Sequence, residues 1–319
     1  MKITKRILLL LSATLLLVII INYPKLNIIS GYAAKNTSSS IFVANRTAAF
    51  TDATDNNFSP INLASTAVSL ENNSASASTL GLLTRKAVYR NGLGSVLITK
   101  GYDASKKELI PKRFIRNTSL AYPFGNKPQK DTLFNTINYK KLDSAVSSIF
   151  ENLHQTRAVL VLYKNQLIAE RYAKGFTKDS RILGWSMTKS ILSTVFGIMQ
   201  YQGKLSVQDR APILEWENDD RKEITLHNLL QMNSGLAWDE NYDKISDVTK
   251  MLFLEDDMTK MQQKQQLIDS PNSSWNYSSG TSNLLSGILR QKLGSQQEYL
   301  DYWYRELIDK IGMNSMIIE

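Results

Sequence analysis

No cysteine occurs anywhere in the chain, so disulfides, a thiolate nucleophile and thiolate metal sites are excluded. Histidine is nearly as scarce. His154 and His227 stand far apart and lack ligand-like spacing. A histidine-based metal centre would need both together with carboxylates, so they are read as helix-surface or core residues. No metal and no cofactor is expected. The chain also lacks a Gly-x-Ser-x-Gly elbow, which argues against an α/β-hydrolase nucleophile. Although the net charge is +9, no run of Lys and Arg is interleaved with aromatics. The excess is read as solvated surface, and nucleic acid is not an expected partner.

What is present suffices for a core. Hydrophobic residues make up 43% of 319, which fits one to two globular domains. Lys2, Lys5 and Arg6 precede an apolar run from Ile7 to Ile21. A charged start followed by such a run marks residues 1–24 as a signal peptide or signal anchor. The run is shorter than the ~20 residues of a full membrane span. Charge bias puts Met1 in the cytoplasm and the rest outside it, either periplasmic or membrane-anchored. Ala33-Ala34 offers a cleavage site, though far downstream.

Residues 25–125 read as a β-rich N-terminal extension. The stretch from 35 to 80 is rich in Ser, Thr, Asn and Ala, with short strand-like runs at Ile41–Val43 and Ala67–Leu70. Further strand-like segments lie between Leu80 and Thr99, with Asn91-Gly92 as a turn signal. A second unit, 126–319, opens with helical spacing at Leu142, Val146, Ile149, Phe150 and Leu153. A hairpin follows from Val159 to Tyr172, turning at Lys164–Gln166. Such a hairpin is marginal alone and is expected to pair with further strands. After Ser186 the residues Ile191, Leu192, Val195, Phe196, Ile198 and Met199 predict a helix buried nearly all round, with Gly203 past its end. Thr225 is a candidate cap for a helix through Leu229 and Leu230. Later helices carry Leu284 to Leu289 and Tyr299 to Ile311, the second closed by Gly312.

Ser186-Met187-Thr188-Lys189 is the only Ser-x-x-Lys in the chain. On a helix, positions three apart share a face, so the Lys189 amine can reach the Ser186 hydroxyl. A lysine inside an apolar helix loses hydration, which favours the neutral amine that accepts the serine proton. Backbone N–H groups at the helix start favour a developing oxyanion. The bland alternative is a capping serine with a snorkelling lysine. A second feature is Trp275-Asn276-Tyr277-Ser278-Ser279-Gly280, where a tyrosine on a loop can relay protons beside a cation. Its bland reading is an aromatic loop contact with ordinary turns.

The order of these features, with Ile224-Thr225-Leu226-His227-Asn228-Leu229-Leu230-Gln231-Met232-Asn233-Ser234-Gly235-Leu236 between them, resembles the β-lactamase-related serine hydrolases. The nearest branch is that of class C β-lactamases, D-alanyl carboxypeptidases, esterases and aminohexanoate-oligomer hydrolases. The resemblance covers about 135–319 and includes the Ile311–Met316 helix exit. It implies an α/β (α+β) fold of transpeptidase type, an antiparallel sheet flanked by helices with a helical subdomain. It also implies an acyl-serine mechanism on a small-molecule or peptidoglycan-like amide or ester. Ser186 would attack, Lys189 act as base and Tyr277 carry the proton, with Trp185, Trp238 and Ser279 at the substrate. The family's Tyr-x-Asn reads Tyr-x-Ser here. Its third motif, Lys-Thr-Gly or His-x-Gly, is not met before Glu319, so the expectation is a domain truncated before its closing strands. A non-catalytic, envelope-binding relative and a β-rich adhesion module are the alternatives.

Overall fold

The computed structural model describes residues 2–106, 108–115, 119–151 and 155–319. His154 and Leu153 lie outside the described residues. Two compact units are present. One contains the chain up to Ile110, Gly184–Tyr299 and Ile317–Glu319; the other contains Pro111–Leu183 and Leu300–Met316.

The first unit begins with helix, not strand. Helix α1 runs from Lys2 to Phe42, straight through Pro24, and the short α2 (Ala48–Ala53) follows. A four-stranded antiparallel meander comes next: β1 (Ala64–Ser69), β2 (Ser74–Thr79), β3 (Leu83–Arg90) and β4 (Gly94–Leu97), in that order. The expected strands near 67–70 and 80–99 therefore exist, whereas Ile41-Phe42 closes a helix. The second half of α1 lies on the sheet. Ala33 and Ala34 pack with Ile29, Ile61, Ala77, Ala87, Leu97 and Phe253.

This packing explains the Ser, Thr, Asn and Ala content. Alanine on both surfaces lets helix and sheet approach closely, and the buried hydroxyls and amides pair with one another. Ser30 Oγ lies 2.6 Å from Thr79 Oγ1, Ser38 Oγ lies 2.7 Å from Ser95 Oγ, and Asn36 donates to Asn56 at 2.9 Å. Alanine excepted, those residue types are weak helix formers, because they compete for the backbone. Tertiary burial overrides that preference here. By contrast Leu16 to Ile21, earlier in the same helix, are exposed.

The remaining helices of this unit gather around α8 (Ser279–Lys292), which packs against α4 (Thr188–Tyr201), α5 (Leu226–Leu230), α6 (Asp247–Phe253) and α7 (Thr259–Gln263). Helix α4 departs from expectation. Leu192, Val195, Phe196 and Met199 are buried, but Ser193, Thr194 and Gly197 are exposed and Ile191 and Ile198 are half-buried. It is amphipathic because small and hydroxylic residues occupy its second face. Gly203 follows it at φ +68°, as its place after the helix requires. Thr225 caps α5, with Asn228 completing a reciprocal pair of hydrogen bonds.

The second unit holds helix α3 (Tyr139–Ile149) and the hairpin β5 (Ala158–Tyr163) and β6 (Gln166–Tyr172). Lys164 and Asn165 turn it with positive φ at both positions. The hairpin is a sheet of two strands and pairs with no other described strand. Side chains tie β6 to its surroundings only locally, at Leu167 and Arg171. Gln129 bonds both backbone groups of Leu167, at 2.9 and 2.6 Å, and Arg171 of β6 reaches Ser147 and Asp143 of α3. In the same unit the fully buried Asp309 carboxylate accepts from the Arg113 guanidinium and the Phe114 N–H.

Candidate active site

Ser186 sits in a single 3-10 turn, Trp185–Met187, that feeds directly into α4. Its hydroxyl is exposed, and Lys189, in the first turn of α4, is half-buried. The spacing of three does what the sequence implies: Lys189 Nζ lies 2.9 Å from Ser186 Oγ. The preceding Trp185 takes φ +42°, a left-handed conformation uncommon for a bulky residue. Such strain costs roughly 1–3 kcal/mol and persists only where the surroundings hold it. Here the indole stacks on Tyr32 of α1, with ring centroids 6.0 Å apart and planes inclined by 13°. The N-terminal helix thus supports the residue next to the candidate nucleophile.

The loop before α8 brings in the second feature. Ser278 caps α8 through the Thr281 N–H, so Ser279 is the first residue of that helix. The Ile224–Leu236 stretch is what anchors this loop. Asn276 N–H donates to the Met232 carbonyl at 2.9 Å, and Asn272 N–H donates to the Asn233 carbonyl at 2.8 Å. Gly235 is required at φ +75°, and a Cβ there would collide with the Asp269 carbonyl. Tyr277 arrives with its ring 4.8 Å from Lys189 Nζ. Among the described residues no hydrogen bond joins its hydroxyl to Ser186 or Lys189. It meets the lysine as an aromatic face.

The three expected substrate contacts separate. Trp185 is half-exposed beside Ser186, and exposed Trp275 stands near Tyr277. Trp238 is buried, and its ring lies so close to Gly280 that a Cβ there would collide with it. It is packing for the start of α8. Ser279 is buried as well, and its hydroxyl accepts from Lys189 at 3.1 Å and donates to Glu240 at 2.5 Å.

Glu240 is the residue that sequence reasoning passed over. Its carboxylate also accepts from the Ser279 N–H at 2.9 Å, from the Tyr242 hydroxyl at 2.9 Å and from the Trp238 indole N–H. Burial, with the neighbouring Glu240 charge adding to it, pushes the Tyr242 phenol up to about 12. The signal was the alternation Trp238, Glu240, Tyr242, since residues two apart in extended backbone point to one side. No motif flagged it, because the segment is a loop between α5 and α6.

The family model described as Beta-lactamase matches residues 147–318, more than half of the chain. The chain belongs to the β-lactamase family. That match contains Ser186, Lys189, Tyr277, Ser279 and Glu240. Among solved structures, a Bacillus anthracis protein assigned as a 6-aminohexanoate-dimer hydrolase is similar over 52% of this chain and 46% of its own, at 18% identity and a TM-score of 0.43. A Bacteroides dorei protein assigned as a β-lactamase is similar over 54% of this chain and 51% of its own, at 20% identity and a TM-score of 0.44. This β-lactamase-family chain therefore spans about half the length of the solved structures it matches. No curated protein matches it.

Proposed function

We propose that this β-lactamase-family chain is an exported serine hydrolase that cleaves an amide or ester through an acyl-serine intermediate. The observation that carries the reading is the 2.9 Å approach of Lys189 Nζ to an exposed Ser186 Oγ. In the proposed reaction the Lys189 amine takes the Ser186 proton as the oxygen attacks the acyl carbon. The Ser186 N–H, at the entry to α4, is one donor to the oxyanion. Tyr277, its ring beside the resulting ammonium, takes up that proton as it passes its own to the leaving group, a step that requires its hydroxyl to turn toward Lys189. Trp185, next to Ser186, and Trp275, beside Tyr277, offer exposed aromatic surface suited to an apolar acyl chain. Water then releases the acid and restores Ser186.

Export rests on the cationic start and on the exposed apolar stretch of α1. The candidate span Leu16–Phe42 is long and apolar enough to cross a membrane. Its second half is core, however, with Ala33 and Ala34 fully buried. Cleavage at Ala33-Ala34 would remove helix that the sheet needs, so the reading here is an anchor, or a leader cut upstream of about Lys25.

Turnover of chromogenic acyl esters and anilides by the detergent-solubilised chain tests the proposal. Ser186→Ala and Lys189→Ala should each lower kcat/KM by roughly 10³-fold or more, because nucleophile and base act as a unit. Turnover that survives Ser186→Ala unchanged contradicts it.

A further inference from the structure

Ser186 Oγ, Lys189 Nζ, Ser279 Oγ and the Glu240 carboxylate form one unbroken file, with separations of 2.9, 3.1 and 2.5 Å. The last member is unusually well held. One oxygen of Glu240 accepts from the Ser279 and Tyr242 hydroxyls, and the other from the Ser279 N–H and the Trp238 indole N–H. Four donors thus face its two oxygens. They fix its position, and so fix the direction of the Ser279 proton. With that proton committed to Glu240, only a lone pair of Ser279 can face Lys189.

We propose that Glu240 is a positioning residue for the acyl-serine reaction, acting on Lys189 through Ser279. The inference rests on the reading of Ser186 and Lys189 given above. When Ser186 attacks, its proton moves to Lys189 and the amine becomes an ammonium. The new charge is met by the Ser279 lone pair, behind which lies the Glu240 carboxylate. No proton leaves Ser279, so the file stabilises the ammonium without consuming it. That proton is then free to pass, through Tyr277, to the leaving group. The role is the one a carboxylate plays behind histidine in Ser-His-Asp sites, with a hydroxyl interposed. In Glu240→Gln the amide oxygen would accept from the two N–H groups and the NH₂ would donate to the Ser279 and Tyr242 hydroxyls, which removes the charge behind Ser279 and turns the Ser279 proton away from position 240.

The test is the rate of phosphonylation of the full chain by an alkyl fluorophosphonate, split into the maximal inactivation rate and the probe concentration for half-maximal rate. Glu240→Gln and Ser279→Ala should each lower the maximal rate on the order of 10²-fold, below the ~10⁴-fold seen where the carboxylate touches the base directly. The half-saturating concentration should stay within about threefold of the parent value, a split that a merely structural defect would not produce. The double variant should be no more than about tenfold slower than the slower single one, because both break the same file. Ser279→Ala leaves Glu240 three of its donors, so it reports even if Glu240→Gln unfolds. A parent chain that labels normally while both single variants match it overturns this inference alone. A parent chain that does not label overturns the reading of Ser186, and the inference with it.

Discussion

At the scale of single residues, the family stretch around Gly235 is scaffold and not chemistry. Gly235 combines a left-handed backbone with direct contact against the Asp269 carbonyl, and both the Ile268 and Asp269 N–H groups donate to its own carbonyl. Gly235→Ala must therefore bear backbone strain and a collision together. Each costs roughly 1–3 kcal/mol, so a loss of about 3 kcal/mol is expected in urea unfolding followed by tryptophan fluorescence. Stability within about 0.5 kcal/mol of the parent, the range of a bland surface change, would show that the turn is not rigid. The pairing of Ser186 with Lys189 was legible in the sequence because helical spacing alone brings them together. Glu240 was not. Its partner Ser279, and Lys189 beyond that serine, are 39 and 51 positions away, and only the folded loop joins them. Tyr277 was legible as a neighbour of Lys189, but its meeting the lysine ring-first depends on how Asn276 pins the loop to Met232.

At the scale of elements, α1 divides into two halves with different jobs. Its first half exposes Leu16 to Ile21; its second buries Ile29, Ala33 and Ala34 on the sheet. A carboxylate placed in each half separates them. Ala33→Asp buries a charge without a partner and is expected to cost several kcal/mol, read as a lowered melting temperature. Leu17→Asp places a charge where lipid contact is proposed, which costs about 2.5–3.5 kcal/mol in a membrane and little in the fold. It should release the chain from sedimenting membranes with melting unchanged. Membrane association lost in Ala33→Asp but kept in Leu17→Asp would reverse the assignment. The strands were the more legible elements, since period-two patterning and the Asn91-Gly92 and Lys164-Asn165 turns carry local signals. Helix over 25–42 was hidden, because Ser, Thr, Asn and Ala in that order satisfy no helical stripe until the sheet supplies hydroxyl partners. The α4 helix is legible from its apolar positions, but the exposed face made by Ser193, Thr194 and Gly197 is not, because small and hydroxylic residues carry no charge to mark it.

At the scale of the whole molecule, the N-terminal 110 residues are not an appendage. They share a compact unit with α4 and α8, and Tyr32 of α1 stacks on the residue that precedes Ser186. The sequence order, extension first and hydrolase second, concealed this, since contacts between residues so far apart leave no local pattern. The family assignment was legible because its motifs are short and carry their own geometry. What binds these observations into one account is the claim that Ser186 becomes covalently acylated. The direct measurement is intact-mass analysis of the full chain after brief exposure to an activated acyl ester, followed by peptide mapping. The account predicts a single added acyl group on the peptide containing Ser186, slowly lost on standing, and no adduct in Ser186→Ala. An adduct mapped to another residue, or one of equal yield in Ser186→Ala, would contradict it.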